Sequence, residues 1–447
     1  MPPAEAPPGT TPAAGTPTPR RRSLAFHRNF RQLWIGDALG QFGAQLAILA
    51  LPIYAVVHLE ATEWQMGALT AAETAAFLVI GLPAGAWVDR MRKRRTLIVA
   101  DLVRAAVLAA VVVTALTGHG SMALLYAAAL VMSCATVFFD ISHQSYIPGL
   151  VGLPNVVEGN SKLQATQSVA AVVAPAVGGA LLRIITTPAL LAATAVTYLV
   201  SAFSVGRIRH DEVLPAKADR RPLRAEIAEG LRFVVHQPLL RRIVACTSLG
   251  NFAGSISNAL LVIYALRVLG LSAATLGLVF SAASVGGILG AVSANQIARW
   301  VGEGRSVAVS ALAWVPAFAL TPLALPLADA GVPAEVTLVA GGSLASFAIV
   351  GYNVTQVSFR QRLCPPALLG RMNASVRFIV FGMMPIGGLL GGILGTQIGP
   401  VATLWGRGCR AASGAARRDL SAHPDARPAG PRGRARRRPR LSAGRAG

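Results

Sequence analysis

Charged side chains are scarce here: Asp, Glu, Lys and Arg make up 13% of the 447 residues, against about 25% in an average soluble domain. A chain so poor in charge does not use water as its main solvent. Cysteine is rarer still. Cys134, Cys246, Cys364 and Cys409 are scattered without metal-ligand or paired spacing, which argues against both a zinc site and a disulfide framework. No phosphate-binding lysine loop, nucleophile elbow or zinc-protease motif occurs, so ATP-driven transport and hydrolytic catalysis are both disfavoured. The expectation is a protein that is not an enzyme and carries no cofactor or metal.

What the chain has in abundance is apolar sequence, 53% of residues. A helix needs about 20 apolar residues to cross a hydrocarbon core of about 30 Å. Eleven stretches qualify, at 33–57, 65–88, 96–117, 121–145, 162–183, 187–206, 243–266, 274–298, 306–327, 336–358 and 373–398. The predicted fold class is therefore all-α, a polytopic membrane protein.

The formal net charge of +22 would suggest nucleic acid in a soluble protein, but its distribution points to membrane topology. Residues 406–447 hold 12 Arg against Asp419 and Asp425. Elsewhere the basic residues fall in alternate short loops: Arg28 and Arg31, Arg90 to Arg95, Lys162, Arg207 to Arg242, Arg299 and Arg305, and Arg360 to Arg377. The opposite loops carry Arg183 and Arg267 with Glu60, Glu63, Asp329 and Glu335. Basic loops stay inside, so the expected localisation is a bacterial inner membrane with the N-terminus cytoplasmic. The lipid bilayer is a partner and nucleic acid is not.

Five segments follow. Residues 1–30 read as a disordered basic tail, 31–206 as a six-helix bundle, and 207–242 as a cytoplasmic connector. Within the connector Leu223, Ile227, Leu231, Val234 and Val235 recur at helical spacing among charges, an amphipathic helix. Residues 243–405 hold five helices and the opening turn of a sixth, and 406–447 read as a disordered Arg, Ala, Gly and Pro tail. The two halves also repeat. Pro175, Gly178 and Gly179 find counterparts about 210 residues later in Pro385, Gly387 and Gly388, as in transporters built from parallel repeats. A twelfth helix should complete the second repeat, yet apolar character stops after Trp405. Two explanations stand: a reading-frame shift near residue 405, or a genuine basic tail held inside. Sequencing the locus distinguishes them, since an apolar 20-mer absent from every frame rules out the shift.

One loop carries a sharper signal. Gly85, near the end of the second stretch, and Asp89, Arg90, Lys93, Arg94 and Arg95, between it and the third, resemble the signature loop of the major facilitator superfamily, glycine, aspartate and arginine followed by paired basic residues. Arg92 stands where that family usually has glycine. The resemblance implies two six-helix bundles around a central crevice, with the aspartate matching Asp89 facing the start of helix eleven near Arg371, where helix N–H groups favour an anion. Such a contact would clamp the cytoplasmic side shut. Alternatively Asp89 and Arg90 form an exposed pair worth about 0–1 kcal/mol. Gly85, lacking a side chain, is expected to let two helices approach. Pro175, Gly178 and Gly179 resemble the end of the family's antiporter motif, which suggests export. Glu229 to Phe233 resembles the connector of bacterial enterobactin- and macrolide-type efflux proteins.

Ionisable residues within a membrane cost about 2.5 kcal/mol or more and so are functional candidates. Glu73, with Thr70 and Thr74 beside it, is the one nearest mid-bilayer, and with Asp37 and Asp140 it forms the candidate set for proton coupling. Gln41 and Gln45 share a helical stripe with Asp37; Asn251, Ser255 and Asn258 form another, and Asn353 and Gln356 close helix ten. These polar stripes line a substrate cavity or bond helix to helix. Asp101 and Arg104, three apart, are expected to neutralise each other. The function read from all this is secondary active, proton-coupled export of small amphipathic molecules by a monomer. The alternatives are import or uniport of a small metabolite in the same fold, or a sensor-like or inactive remnant.

Overall fold

The computed structural model describes residues 23–152, 155–210, 212, 223–365 and 368–406. Residues 1–22 and 407–447, which hold most of the two expected tails, lie outside the described residues, as do the side chains of Asp89, Leu223 and Ile227.

The helices are α1 (Arg28–His58), α2 (Glu63–Val79), α3 (Gly81–Asp89), α4 (Lys93–Leu116), α5 (Met122–Val151), α6 (Val156–Leu181), α7 (Thr187–Gly206), α8 (Leu223–His236), α9 (Pro238–Ile263), α10 (Ala273–Val301), α11 (Glu303–Asp329), α12 (Ala334–Leu363) and α13 (Leu369–Ile398). Nine helices among the described residues are long and apolar enough to cross a membrane. Two of the eleven expected spans differ. The second is broken into α2 and α3, because Pro83 has no N–H to give the carbonyl of Val79. The fifth, α6, opens with Glu158, Asn160, Lys162, Gln164 and Gln167, which dilute its apolar character.

α1 to α7 form the first half and α9 to α13 the second. In the first half α7 packs on α1 and α4, and α1 on α6. Gly36 and Gly43 make the α1–α7 approach possible: a Cβ on Gly43 would lie 2.1 Å from the Thr197 hydroxyl and one on Gly36 3.2 Å from the Ser201 carbonyl. In the second half α13 packs on α9 as α6 does on α1, and α12 on α10 and α11. The helical turn at 400–406 follows Gly399, whose φ of +82° suits glycine.

Two boundaries shift from expectation. Residues 23–30 already belong to the first bundle: the Ser23 hydroxyl and the Leu24 N–H both donate to Glu158 at 2.9 Å, and Leu24 and Phe30 are buried. Those donors, the Leu24 N–H first, hold the Glu158 carboxyl below its usual range. At the other boundary α9 starts at Pro238, before the expected 243, because the Gln237 side chain accepts from the N–H groups of Leu239 and Leu240 and Pro238 suits a first helical position. The connector helix α8 is amphipathic as expected, and it lies against the second half: Val234 is buried with Leu240, Met372 and Val376.

The halves meet along two glycine-lined seams. α2 packs on α13, where a Cβ on Gly67 would fall 2.5 Å from the Gly392 Cα, and α6 packs on α10, where one on Gly179 would fall 2.6 Å from the Ala274 carbonyl. The repeated glycine pairs divide this work alike. Gly178 faces α1 and Gly387 faces α9 within their own halves, while Gly179 and Gly388 face the opposite half. Pro175 lends its carbonyl to the α6–α10 seam, and Pro385 is buried within α13.

Candidate functional site

Four acidic side chains of the membrane region, Asp37, Glu73, Asp101 and Asp140, lie in the first half. Asp101, on α4, is fully buried; Ser201 donates to it at 2.6 Å and Arg104 at 3.1 Å. The Arg104 guanidinium also lies over the Phe139 ring at 4.6 Å and the Tyr198 ring at 5.3 Å, so aromatic faces spread its charge where water is absent. The expected mutual neutralisation of this pair matches the geometry. Removing one member of a buried pair strands the other, at about 3–5 kcal/mol. Arg104→Met is therefore expected to lower the thermal unfolding midpoint of the purified protein strongly, and Asp101→Asn in the same chain to restore most of the loss. An unchanged midpoint in the single variant would exclude this.

Asp37, on α1, is 3% exposed and has His143 Nε2 of α5 at 3.4 Å. Gln41, one turn along α1, faces the same carboxylate, and Gln45 lies half-buried a turn beyond. His143 stacks on Phe139 with centroids 5.7 Å apart. One turn earlier on α5, Asp140 keeps about a third of its side chain exposed and reaches across to Arg377 of α13 at 3.8 Å. This pair joins the two halves. Arg377 also donates to Gln144 at 3.5 Å. Glu73, on α2, is half-buried with no hydrogen-bonding or charged partner among the described residues; Thr74 beside it donates to the carbonyl of Thr70 in its own helix.

Around the signature loop the structure departs from expectation. A Cβ on Gly85 would meet no atom within 4 Å, so close approach does not require glycine there; the tight approaches fall at Gly67 and Gly179 instead. Arg90 is exposed. The backbone N–H groups of Lys93 and Arg94 donate to Glu212 at 2.6 and 2.8 Å, so this connector carboxylate caps α4 and interacts with its helix dipole. The Arg94 side chain donates to the carbonyls of Val205 and Gly206 at the end of α7. Arg371 pairs with Glu229 of α8 at 2.5 Å, and a Cβ on Gly230 would come within 2.6 Å of the Arg371 carbonyl. The expected Asp89 contact falls on a side chain outside the described residues.

The second half encloses a cavity of about 140 Å³ between α9, α11, α12 and α13. Four of the expected cavity residues, Asn251, Ser255, Asn258 and Asn353, line it together; Gln41 and Gln45 do not. Sequence reasoning missed Trp314, Phe318 and Thr247 in the same wall. Tyr352 stands in this wall as well. Thr247 and Tyr352 share a hydrogen bond of 2.8 Å, and Asn251 donates to the Val380 carbonyl at 3.2 Å. Gln356 faces Asn353 at 3.5 Å.

Two helical bundles that meet at glycine seams, with buried charge in one and a polar cavity in the other, define a multi-pass membrane transporter. Residues 33–388 match the family model of the Major Facilitator Superfamily. The chain belongs to that superfamily, whose members are transporters of small molecules and not enzymes. It is similar to the enterobactin exporter EntS of Salmonella typhi, 25% identical over 386 residues, covering 85% of this chain and 89% of that one. It is also similar to the multidrug efflux pump Tap of Mycolicibacterium fortuitum, 26% identical over 374 residues, covering 81% and 88%. Among solved structures, a point variant of the nucleoside transporter NupG superposes with a TM-score of 0.72 at 16% identity, covering 87% of this chain and 99% of that one.

Proposed function

We propose that this chain is a proton-coupled exporter of small amphipathic molecules, working as a monomer in a bacterial inner membrane with its N-terminus cytoplasmic. Direction is supported by the similarity to an enterobactin exporter and a multidrug efflux pump along most of the chain. The observation that carries the coupling is the gathering of Asp37, Asp101, Asp140 and His143 in one half, with Glu73 on the neighbouring α2 lacking a polar partner among the described residues. Carboxyl groups kept in a membrane at such cost suit proton carriers.

In this reading the halves rock about the crevice. The glycine seams close the end at Glu63 and Ile398, which the loop charges assign to the outside. At the other end Asp140 holds Arg377 across the halves. A proton on Asp140 cancels the attraction for Arg377 and lets that end part; proton release restores it. Asp89, Arg90, Lys93, Arg94 and Arg371 belong to the same end, as gate elements.

Everted membrane vesicles test this. An amphipathic fluorescent dye should accumulate when a proton gradient is imposed and leak out when a protonophore collapses it. Asp140→Asn should lose most of that accumulation. Dye exchange indifferent to the gradient would indicate a uniporter, and no movement with any dye or metabolite would overturn the export reading.

A further inference from the structure

The cavity in the second half has a size that restricts its occupant. Drug-sized pockets run to about 300–1,000 Å³, whereas an apolar cavity of about 150 Å³ accepts one benzene ring. At about 140 Å³ this pocket holds a single ring and leaves the rest of a larger molecule outside. Its open side agrees, since Asn258 and Asn353 are exposed at its rim.

Its chemistry is equally restrictive. No Asp, Glu, Lys, Arg or His among the described residues lines it, so an ionised guest would give up water without gaining a counter-charge. Two wall groups are buried without a hydrogen-bond partner among the described residues, Ser255 Oγ and Trp314 Nε1. Trp314 donates only, and Ser255 donates or accepts. The Asn251 amide N–H is directed to Val380, which leaves its carbonyl oxygen as an acceptor. Thr247 and Tyr352 satisfy one another. Trp314 and Tyr352 stand with ring centroids 5.0 Å apart, tilted by 58°, a geometry in which aromatic rings attract one another and a third ring.

We propose that this cavity binds one uncharged aromatic ring bearing a hydroxyl or carbonyl group, as a free molecule or as the anchoring end of a larger cargo. The hydroxyl or carbonyl oxygen accepts from Trp314 and Ser255, and a phenolic O–H donates to Asn251. Calling that ring part of the cargo rests on the export reading; the pocket itself does not.

Gly254 supplies a direct test. It lines the cavity, and a Cβ there meets nothing within 4 Å, so Gly254→Leu starts into open space and is expected to fill the cavity. Gly250 is unsuitable, because its Cβ would strike the Trp314 ring at 2.1 Å. Fluorine NMR of 4-fluorophenol with the full chain in nanodiscs is expected to show a saturable bound component that Gly254→Leu abolishes. Trp314→Phe, which keeps a ring but loses the donor, should bind about tenfold more weakly; this second variant serves should the first not fold. Fluorobenzene should bind at least as weakly as that variant does, and 4-fluorobenzoate not at all. Equal binding of 4-fluorophenol to parent and Gly254→Leu, or of 4-fluorobenzoate and 4-fluorophenol to the parent, overturns the proposal. The vesicle assay separates the two readings. Saturable phenol binding without gradient-driven dye uptake upholds the pocket and removes export, whereas uptake without saturable binding removes the pocket alone.

Discussion

Glu73→Gln is expected to reduce gradient-driven dye accumulation in everted vesicles to background while leaving the thermal unfolding midpoint unchanged or slightly raised. The argument rests on what the substitution does not disturb. Glu73 has no hydrogen-bonding or charged partner among the described residues, so the near-isosteric amide strands no cation, in contrast with the cost of removing Arg104 from Asp101. A carboxyl group kept within a membrane helix with no polar partner among the described residues is unlike a packing residue. Glutamine keeps the shape and polarity but cannot exchange a proton, so stability and coupling should separate. Full gradient-dependent efflux by Glu73→Gln would remove Glu73 from the proton path and leave Asp37 and Asp140 as carriers.

Gly67→Val should be equally damaging for a different reason. Its Cβ would sit 2.5 Å from the Gly392 Cα and 2.6 Å from the Gly388 carbonyl, both backbone atoms of α13 with no rotamer to yield. Overpacking of this kind costs about 1–3 kcal/mol, occasionally more, and here it bears on the α2–α13 seam, proposed above to close one end of the crevice. The variant should insert and remain folded but fail to close, with transport at background. Glu63 and Gly395 give the measurement, since a Cβ on Gly395 would lie 3.0 Å from that of Glu63. Cysteines at these two positions should cross-link readily on the parent background and poorly alongside Gly67→Val. Equal cross-linking rates would show that the seam tolerates the added bulk.

Much of this architecture was legible in the residues because a membrane imposes length and polarity rules that sequence shows directly. Ten of the eleven apolar stretches correspond to single helices, and the exception, α2 and α3, is split by a proline whose effect depends on whether neighbours rescue the bend. The cavity stripe on α9 was readable because Asn251, Ser255 and Asn258 share one helical face. Trp314 was not, since nothing in its own neighbourhood says that it reaches Gly250 on another helix. The partners of the charged residues were likewise hidden. His143 stands 106 positions from Asp37 and Arg377 stands 237 from Asp140, and only topology brings such pairs together. Glu212 as the cap of α4 had a faint signal: a helix beginning at Lys93 with no side-chain cap of its own needs an anion from elsewhere.

The seating of α8 also sets what it can report. With Gly230 pressed on the Arg371 carbonyl, Val234 buried among residues of α9 and α13, and only Gln237 between α8 and α9, this amphipathic helix is cargo of the second bundle and not a neutral tether. A fluorophore on the exposed Arg232 or His236 would ride with the second bundle, and its distance to a mark on α4 would serve as a ruler for the transport cycle.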